Sequence, residues 1–157
     1  MKKEFKFSYQ HLSSFEELDN DQKEAAEAAE KATLKAHAPY SNFKVGAALL
    51  LNDDTLVLGS NQENKAYPTG MCAERVALFS YGAQQNQQGI KVLAITSSGD
   101  LINSDEFFTP CGGCRQAMAE YTGMQDTPFE IIMKNSDGSF LVFEGIHHIL
   151  PFIFGNK

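Results

Sequence analysis

The chain lacks the long apolar run of a membrane-spanning helix and the apolar core of a signal peptide. A membrane helix takes about 20 mainly apolar residues, and no run in this sequence approaches that length. The opening decapeptide, MKKEFKFSYQ, is charged and contains no continuous apolar segment. We therefore expect a cytoplasmic protein with no membrane partner.

Basic residues are few and scattered. The 157 residues include 13 Lys and Arg against 20 Asp and Glu, which gives a net charge of −7 at pH 7. The one basic cluster, Lys2, Lys3 and Lys6, lies at the N-terminus. Because nucleic-acid backbones are bound by basic surfaces, this balance argues against a nucleic-acid partner. It favours a small substrate that carries little charge.

Cysteine is scarce as well, with three residues in the chain. An odd count makes a poor disulfide framework, and thiols in a reducing compartment remain available for metal binding or catalysis. The three cysteines are therefore candidate functional residues rather than structural crosslinks.

The length favours one domain. We interpret residues 1–19 as an N-terminal extension with no assigned role, and residues 20–157 as a single domain. The order of predicted elements is α-β-β-α-β-α-β-β, which indicates an α/β fold with one mixed sheet and helices on its faces. The predicted helices are residues 20–37, 72–86 and 111–121, and the five predicted strands are KVGAALLL, TLVLGSN, KVLAITSS, FEIIMKN and SFLVFEG.

Two of the cysteines form a C-x-x-C pair, Cys111 and Cys114, directly after Pro110. By itself this spacing fits a thioredoxin-like redox pair, half of a structural zinc site, or two core thiols. The third cysteine, Cys72, also stands at a predicted helix start, although a lone cysteine is usually a small buried apolar residue. The positive end of a helix dipole favours thiolate at such positions.

Three thiols equal the number of protein ligands in an open catalytic zinc site, whereas a closed structural site needs a fourth. The four histidines have no close spacing to either cysteine stretch: His11, His37, His147 and His148. Glu74 follows Cys72 by two residues. It is either an ordinary carboxylate in the first turn of a helix or a general acid and base beside a metal.

Two arginines are candidates to offset charge at such a site. Three thiolates on Zn²⁺ leave a net charge of about −1, which an adjacent cation would compensate. Arg75 and Arg115 each follow a cysteine stretch closely enough to do so. The alternative is that both are ordinary surface charges.

The motifs Cys72-Ala73-Glu74 and Pro110-Cys111-Gly112-Gly113-Cys114 resemble the zinc-deaminase signature in its three-cysteine form. With their flanking segments they resemble a cytidine deaminase of the small homotetrameric type, within the zinc-dependent cytidine and deoxycytidylate deaminase family. The matching segments, in the family's order, are APYSNFKVGAAL, NQENKAYP, CAERVALF, PCGGCRQ and LPFIFG.

The resemblance implies a three-layer α/β/α sandwich around a five-stranded mixed sheet. It implies one Zn²⁺ per subunit, held by Cys72, Cys111 and Cys114, with Glu74 as the proton shuttle. The implied reaction is hydrolytic deamination of free cytidine and 2′-deoxycytidine, with release of ammonia, in pyrimidine salvage. The implied assembly is a homotetramer whose active sites are shared between subunits.

The resemblance also implies substrate contacts. Asn61 and Glu63 match the family's partners of the ribose hydroxyl, and Phe43 matches an aromatic residue that lies against the nucleoside. The backbone of Ala73 matches a group that reads the pyrimidine edge. Phe154 matches an aromatic residue that reaches a neighbouring subunit's base, and Tyr67 matches a residue near that boundary.

Other functions share parts of this pattern. A nucleic-acid base deaminase would have the same cysteines and glutamate but should add a basic channel. A deaminase of cytosine-containing antibiotics would not need both Asn61 and Glu63. A structural zinc module that binds a partner protein would need four ligands and no Glu74, and a redox protein would form a Cys111–Cys114 disulfide and bind no metal.

Overall fold

The computed structural model describes residues 1–103 and 106–155. Six strands and three helices make up the fold, joined by loops and short 3-10 turns. Their bounds are β1 Gln10–Leu12, α1 Asn20–Thr33, β2 Lys44–Leu51, β3 Leu56–Ser60, α2 Ala73–Ala83, β4 Ile90–Ser98, α3 Gly112–Thr122, β5 Glu130–Lys134 and β6 Phe140–Phe143.

The strands form one mixed sheet in the order β1-β6-β5-β4-β2-β3. Only β4 and β5 pair in parallel, and the other neighbours are antiparallel. The predicted hairpins β2–β3 and β5–β6 are both present, and the predicted central position of β4 is confirmed.

Alternate residues of the strands face two separate cores. Ala48 and Leu50 of β2 pack with the buried alanines of α1, whereas Leu49 and Leu51 pack with residues of α2 and α3. This is the period of two that a strand imposes when both faces are covered. The predicted α/β/α sandwich is therefore confirmed, with α1 on one face and α2 and α3 on the other.

The prediction of five strands is wrong by one, because β1 pairs antiparallel with β6. Its three residues, Gln10, His11 and Leu12, are mostly polar and exposed. Such a short polar segment has no alternating apolar pattern, so only its pairing partner makes it a strand. The sixth strand comes from the segment interpreted as an extension.

Helix α1 begins as predicted but ends earlier. Asp19 is the N-cap and forms a capping box with Gln22. The helix ends at Thr33 rather than at His37, because the backbone of His37 pairs with the segment after β3. Its N–H donates to Asn61 O over 2.9 Å, and its carbonyl accepts from Glu63 N–H over 2.8 Å. Tertiary pairing thus overrides helix propensity and brings residues 37–41 to the site described below.

Helices α2 and α3 match the predicted positions to within a few residues. Cys72 is the N-cap of α2 and Cys111 is the N-cap of α3. Helix α2 ends at Ala83 instead of residue 86, since Gln85 adopts a left-handed backbone conformation with φ 50°. Within residues 1–103 and 106–155, no helix has the length and apolar content needed to cross a membrane.

Candidate active site

The three cysteines meet where α2 and α3 begin. Their sulfur atoms all lie within 4.8 Å of one another, and those of Cys111 and Cys114 are 3.5 Å apart. Cys114 is buried, Cys72 is half-buried and Cys111 is exposed. The cluster therefore has one side embedded in the core and one side open.

Helix α2 can reach this position because β3 has a glycine beneath it. A Cβ atom on Gly59 would collide with the carbonyl oxygen of Ala73 and the backbone nitrogen of Ala77. Glycine thus allows the first turn of α2 to lie directly against the sheet. That close approach sets the position of Cys72 relative to α3.

The cysteine cluster fits a zinc ion. Three sulfurs bound tetrahedrally at about 2.3 Å from one centre would lie about 3.8 Å apart, which is compatible with the observed separations. Among the described residues, the cluster contains no fourth cysteine, histidine or carboxylate. Such a donor set leaves one coordination position open, as in catalytic rather than structural zinc sites.

Within the cluster, the Cys72 thiol ionises more readily than the Cys114 thiol. The neighbouring Cys114 thiol lowers the pKa of Cys72 by hydrogen bonding, and Arg75 lowers it further. The pKa of Cys114 is raised, because the same interaction disfavours a second thiolate and because the group is buried. Arg75 lies close enough to act, with its Nη2 3.5 Å from the Cys72 sulfur.

Glu74 is nearly enclosed, with 4% of its surface exposed. Burial raises its pKa above the ordinary value, and the charge on Cys72 raises it further. A carboxyl group with a raised pKa both accepts and returns a proton more readily near neutral pH. Glu74 lies in the first turn of α2, one residue beyond Ala73, which is completely buried.

A cavity of about 520 Å³ opens in front of the cysteine cluster. That volume lies within the range of small-molecule sites. Eight residues singled out from the sequence line it: Phe43, Asn61, Glu63, Tyr67, Cys72, Glu74, Arg75 and Cys111.

Asn61 and Glu63 enter the cavity from the segment after β3. The side chain of Asn61 donates to the carbonyl of Phe43 over 2.9 Å and accepts from the N–H of Val45 over 2.7 Å. These two bonds fix the amide against the start of β2. They leave one N–H and one carbonyl lone pair for a ligand.

Glu63 accepts three hydrogen bonds from one loop. The donors are the backbone N–H groups of Tyr40, at 2.9 Å, and Ser41, at 3.3 Å, together with the Ser41 hydroxyl. The Ser41 hydroxyl, followed by the Tyr40 N–H, lowers the pKa of Glu63. The carboxylate is thus held ionised at the cavity wall.

Aromatic residues form another part of the wall. Phe43 is 8% exposed and packs edge-on against Phe108, with their ring centroids 6.1 Å apart. Tyr67 also lines the cavity, but 82% of it is exposed. Its ring therefore stands at the cavity's outer rim.

Phe154 and Arg115 lie outside the cavity lining. Phe154 is 88% exposed, and only its backbone is held, by hydrogen bonds with the side chain of Gln116. Arg115 donates to the carbonyls of Pro110 and Ile149, each over 2.9 Å. It thereby ties the Cys111 loop to the C-terminal segment.

Several cavity residues were missed by sequence reasoning, among them Ser41, Met71, Phe108 and Thr109. Ser41 lies within the segment APYSNFKVGAAL, yet only the fold brings its hydroxyl to Glu63. Phe108 follows an acidic loop with no motif of its own. No local pattern could have identified either residue.

Fold and site together define an α/β/α protein with a buried carboxyl group beside a three-thiol cluster that could hold a metal ion, at a cavity of small-molecule size. Comparison with known proteins gives the same class. Residues 19–130 match the model of the cytidine and deoxycytidylate deaminase zinc-binding region. The chain belongs to this family, as its motifs predicted.

Individual relatives agree. A probable cytidine deaminase of Dictyostelium discoideum is 34% identical over 131 residues, which cover 83% of this chain and 82% of the relative. The cytidine deaminase of Sporosarcina psychrophila is 41% identical over 93 residues, which cover 59% of this chain and 64% of the relative. The crystal structure of the Burkholderia pseudomallei cytidine deaminase superposes with a TM-score of 0.71 at 39% identity, covering 83% of this chain and 96% of that one. The predicted class of hydrolytic enzyme is therefore confirmed.

Proposed function

We propose that this enzyme deaminates free cytidine and 2′-deoxycytidine by hydrolysis, giving the corresponding uridine and ammonia. The observation that carries the proposal is the position of Glu74, a buried carboxyl group that lines the same cavity as Cys72 and Cys111 of the cysteine cluster. Relatives named cytidine deaminases support the base and the reaction.

Glu74 is proposed to move the protons of the reaction. It accepts a proton from the water that attacks C4 and delivers that proton to N3 of the pyrimidine. It then accepts the remaining proton from the new hydroxyl on C4 and passes it to the amino group, so that the C4–N bond breaks, ammonia leaves and the C4 carbonyl forms. Its raised pKa suits both directions of transfer. A zinc ion held by Cys72, Cys111 and Cys114 would acidify the attacking water and stabilise negative charge on its oxygen.

Arg75 is proposed to balance the charge of the metal site, since its guanidinium contacts the Cys72 sulfur. Arg115 has a different set of partners, the carbonyls of Pro110 and Ile149 and the hydroxyl of Thr109. We propose that its charge acts on the site at longer range while its hydrogen bonds hold the Cys111 loop.

Asn61 and Glu63 are proposed to bind the ribose hydroxyls. Glu63 is an ionised acceptor, and Asn61 keeps one donor and one acceptor free. Phe43 supplies an aromatic surface for the nucleoside. The backbone of Ala73, at the start of α2, is proposed to read the pyrimidine edge.

The remaining proposals concern the assembly and its setting. We propose a cytoplasmic enzyme of pyrimidine salvage that forms a homotetramer, with Phe154 and Tyr67 near a neighbouring subunit's site. The high exposure of both rings supports this, because an aromatic side chain gains most when a partner covers it. Residues 20–157 are proposed to be the catalytic domain.

The substrate class is tested by incubating the purified, zinc-loaded enzyme with four compounds. These are cytidine, 2′-deoxycytidine, free cytosine and a single-stranded DNA that contains deoxycytidine. We expect the ultraviolet spectra of the two nucleosides to shift to those of the uridine products, while cytosine and DNA react far more slowly. A folded, zinc-loaded protein that leaves cytidine unchanged would refute the proposal.

A further inference from the structure

An aromatic cluster joins the N-terminal segment to the loop before α3. We define it as Phe7, Tyr9, His11, Phe107 and Phe143. Tyr9 and His11 both meet the ring of Phe107 edge-on, with centroid distances of 6.4 Å and 5.7 Å. Tyr9 also packs on Phe143, at 5.7 Å, and Phe7 stacks on Tyr9, at 6.4 Å.

The N-terminal side of this cluster is anchored to the sheet. Gln10, His11 and Leu12 pair with Val142, Leu141 and Phe140 of β6. The backbone N–H of Ser8 donates to Nδ1 of His148 over 3.2 Å. The rings that contact Phe107 are therefore attached to a fixed backbone rather than to a free tail.

The other side of the cluster continues directly into the wall of the catalytic cavity. Phe107 is followed by Phe108, which packs on Phe43. The backbone N–H of Phe108 donates to Oδ1 of Asn135 over 3.1 Å. Thr109, Pro110 and Cys111 come next, and all three line the cavity.

We propose that Tyr9 and His11 are positioning residues for the part of the cavity wall formed by residues 108–111. Their rings hold Phe107 against the sheet edge and so fix Phe108 and the segment that leads to Cys111. The N-terminal extension thus has a role in the active site although it precedes the family match, which begins at residue 19. The kinetic part of this inference rests on the proposed function.

The test compares Tyr9→Ala with two matched variants. Tyr9→Phe keeps the ring, and Phe5→Ala removes an exposed aromatic residue of the same segment that lies outside the cluster. The first readout is hydrogen exchange at the backbone amide of Phe108. An aromatic contact of this kind corresponds to a roughly 2- to 12-fold change in a local opening equilibrium, so we expect Tyr9→Ala to speed this exchange by that factor.

The second readout is kinetic. We expect Tyr9→Ala to raise the KM for cytidine by a similar factor, with kcat per bound zinc changed less than about twofold. Tyr9→Phe and Phe5→Ala should both behave like the parent. Adding Tyr9→Ala to Phe107→Ala should change little further, since the proposal has the Tyr9 ring act on this wall through Phe107.

If Tyr9 only stabilised the fold, the exchange rates and the KM would change in a different pattern. Exchange would then increase in β6 and elsewhere as much as at Phe108, and KM would stay unchanged. That result, or an unchanged exchange rate at Phe108, would overturn the proposal. If the parent enzyme proves inactive on cytidine, the proposed function fails, yet the exchange experiment still decides whether Tyr9 holds this wall.

Discussion

Two carboxylates of the cavity have opposite pKa shifts, and each shift suits a different task. Burial raises the pKa of Glu74, which favours proton exchange. Hydrogen bonds from Ser41 and Tyr40 lower the pKa of Glu63, which favours a permanent acceptor. Both residues are glutamates, so their different roles follow from the environment of each side chain and not from residue type.

The acceptor role of Glu63 leads to a pH prediction. Since its pKa lies below the ordinary 4.5, ribose binding should persist at and above that pH and be lost only as pH falls further. Ser41→Ala removes the main cause of the shift, so its KM for cytidine should begin to rise at a higher pH than that of the parent. Steady-state kinetics between about pH 6.5 and about pH 3.5 would cover both transitions and show this difference.

Glu63→Gln is the matched control, because an amide does not titrate in this range. Its KM should be high and independent of pH. Identical pH profiles for the parent and Ser41→Ala would contradict the assigned role of Ser41.

The cysteine cluster leads to a second prediction about a single residue. Cys111→Ala removes one of three sulfur ligands, and we expect zinc to be lost readily to a chelator and deamination to fall with it. Gly112→Ala is the control, since a Cβ atom there meets nothing within 4 Å. Zinc content after chelator treatment is the measurement, and equal retention in both variants would exclude Cys111 as a ligand.

At the scale of elements, two glycines let helices approach the two faces of the sheet. A Cβ atom on Gly59 would collide with α2, and one on Gly46 would collide with Ala29 O and Thr33 N of α1. Of these two helices, α1 and α2, only α2 begins with a cysteine of the cluster, because Cys72 is its N-cap. Substitutions at the two glycines can therefore distinguish an effect on stability from an effect on the geometry of the metal site.

We expect Gly59→Ala and Gly46→Ala each to destabilise the protein by about 1–3 kcal/mol, as overpacking typically does. Only Gly59→Ala should also weaken zinc retention, because it pushes the first turn of α2 away from α3. Thermal unfolding and chelator competition measure the two effects. A Gly46→Ala variant that loses zinc as easily as Gly59→Ala would argue against this account.

Much at this scale could be predicted from sequence. Both N-cap cysteines stand in local motifs at helix starts, and the family resemblance that these motifs carry predicts that Cys72, Cys111 and Cys114 share one site. The strand β1, the early end of α1 and the Ser41–Glu63 contact could not be predicted, since each depends on a distant partner. Ser41 and Glu63 are 22 positions apart, and only the pairing of His37 with the Asn61–Glu63 segment brings them together.

At the scale of the whole molecule, the rings of Tyr67 and Phe154 are highly exposed, and the proposed assembly would place both beside neighbouring chains. If Phe154 completes a neighbour's site, Phe154→Ala and Glu74→Gln subunits should complement each other. A mixed tetramer would contain sites with an intact Glu74 from one chain and an intact Phe154 from another.

We therefore expect an unfolded and refolded mixture of the two variants to be more active than either alone, with a four-chain mass by sedimentation. The control mixture combines Glu74→Gln with Glu120→Gln, a variant at an exposed residue of α3. Its activity shows how diluting one variant with the other changes the rate when no site is complemented. No gain from the first mixture would place Phe154 outside the neighbouring site.

The most direct test of the central claim is the rate of cytidine deamination by Glu74→Gln, expressed per bound zinc. Glutamine keeps the shape of the side chain and cannot accept the proton, so general acid and base catalysis is removed while the cysteine cluster stays intact. We predict unchanged zinc content and a rate at least about 100-fold below that of the parent. A variant that retains zinc and deaminates cytidine at nearly the parent's rate would contradict the assignment of Glu74 as the proton shuttle.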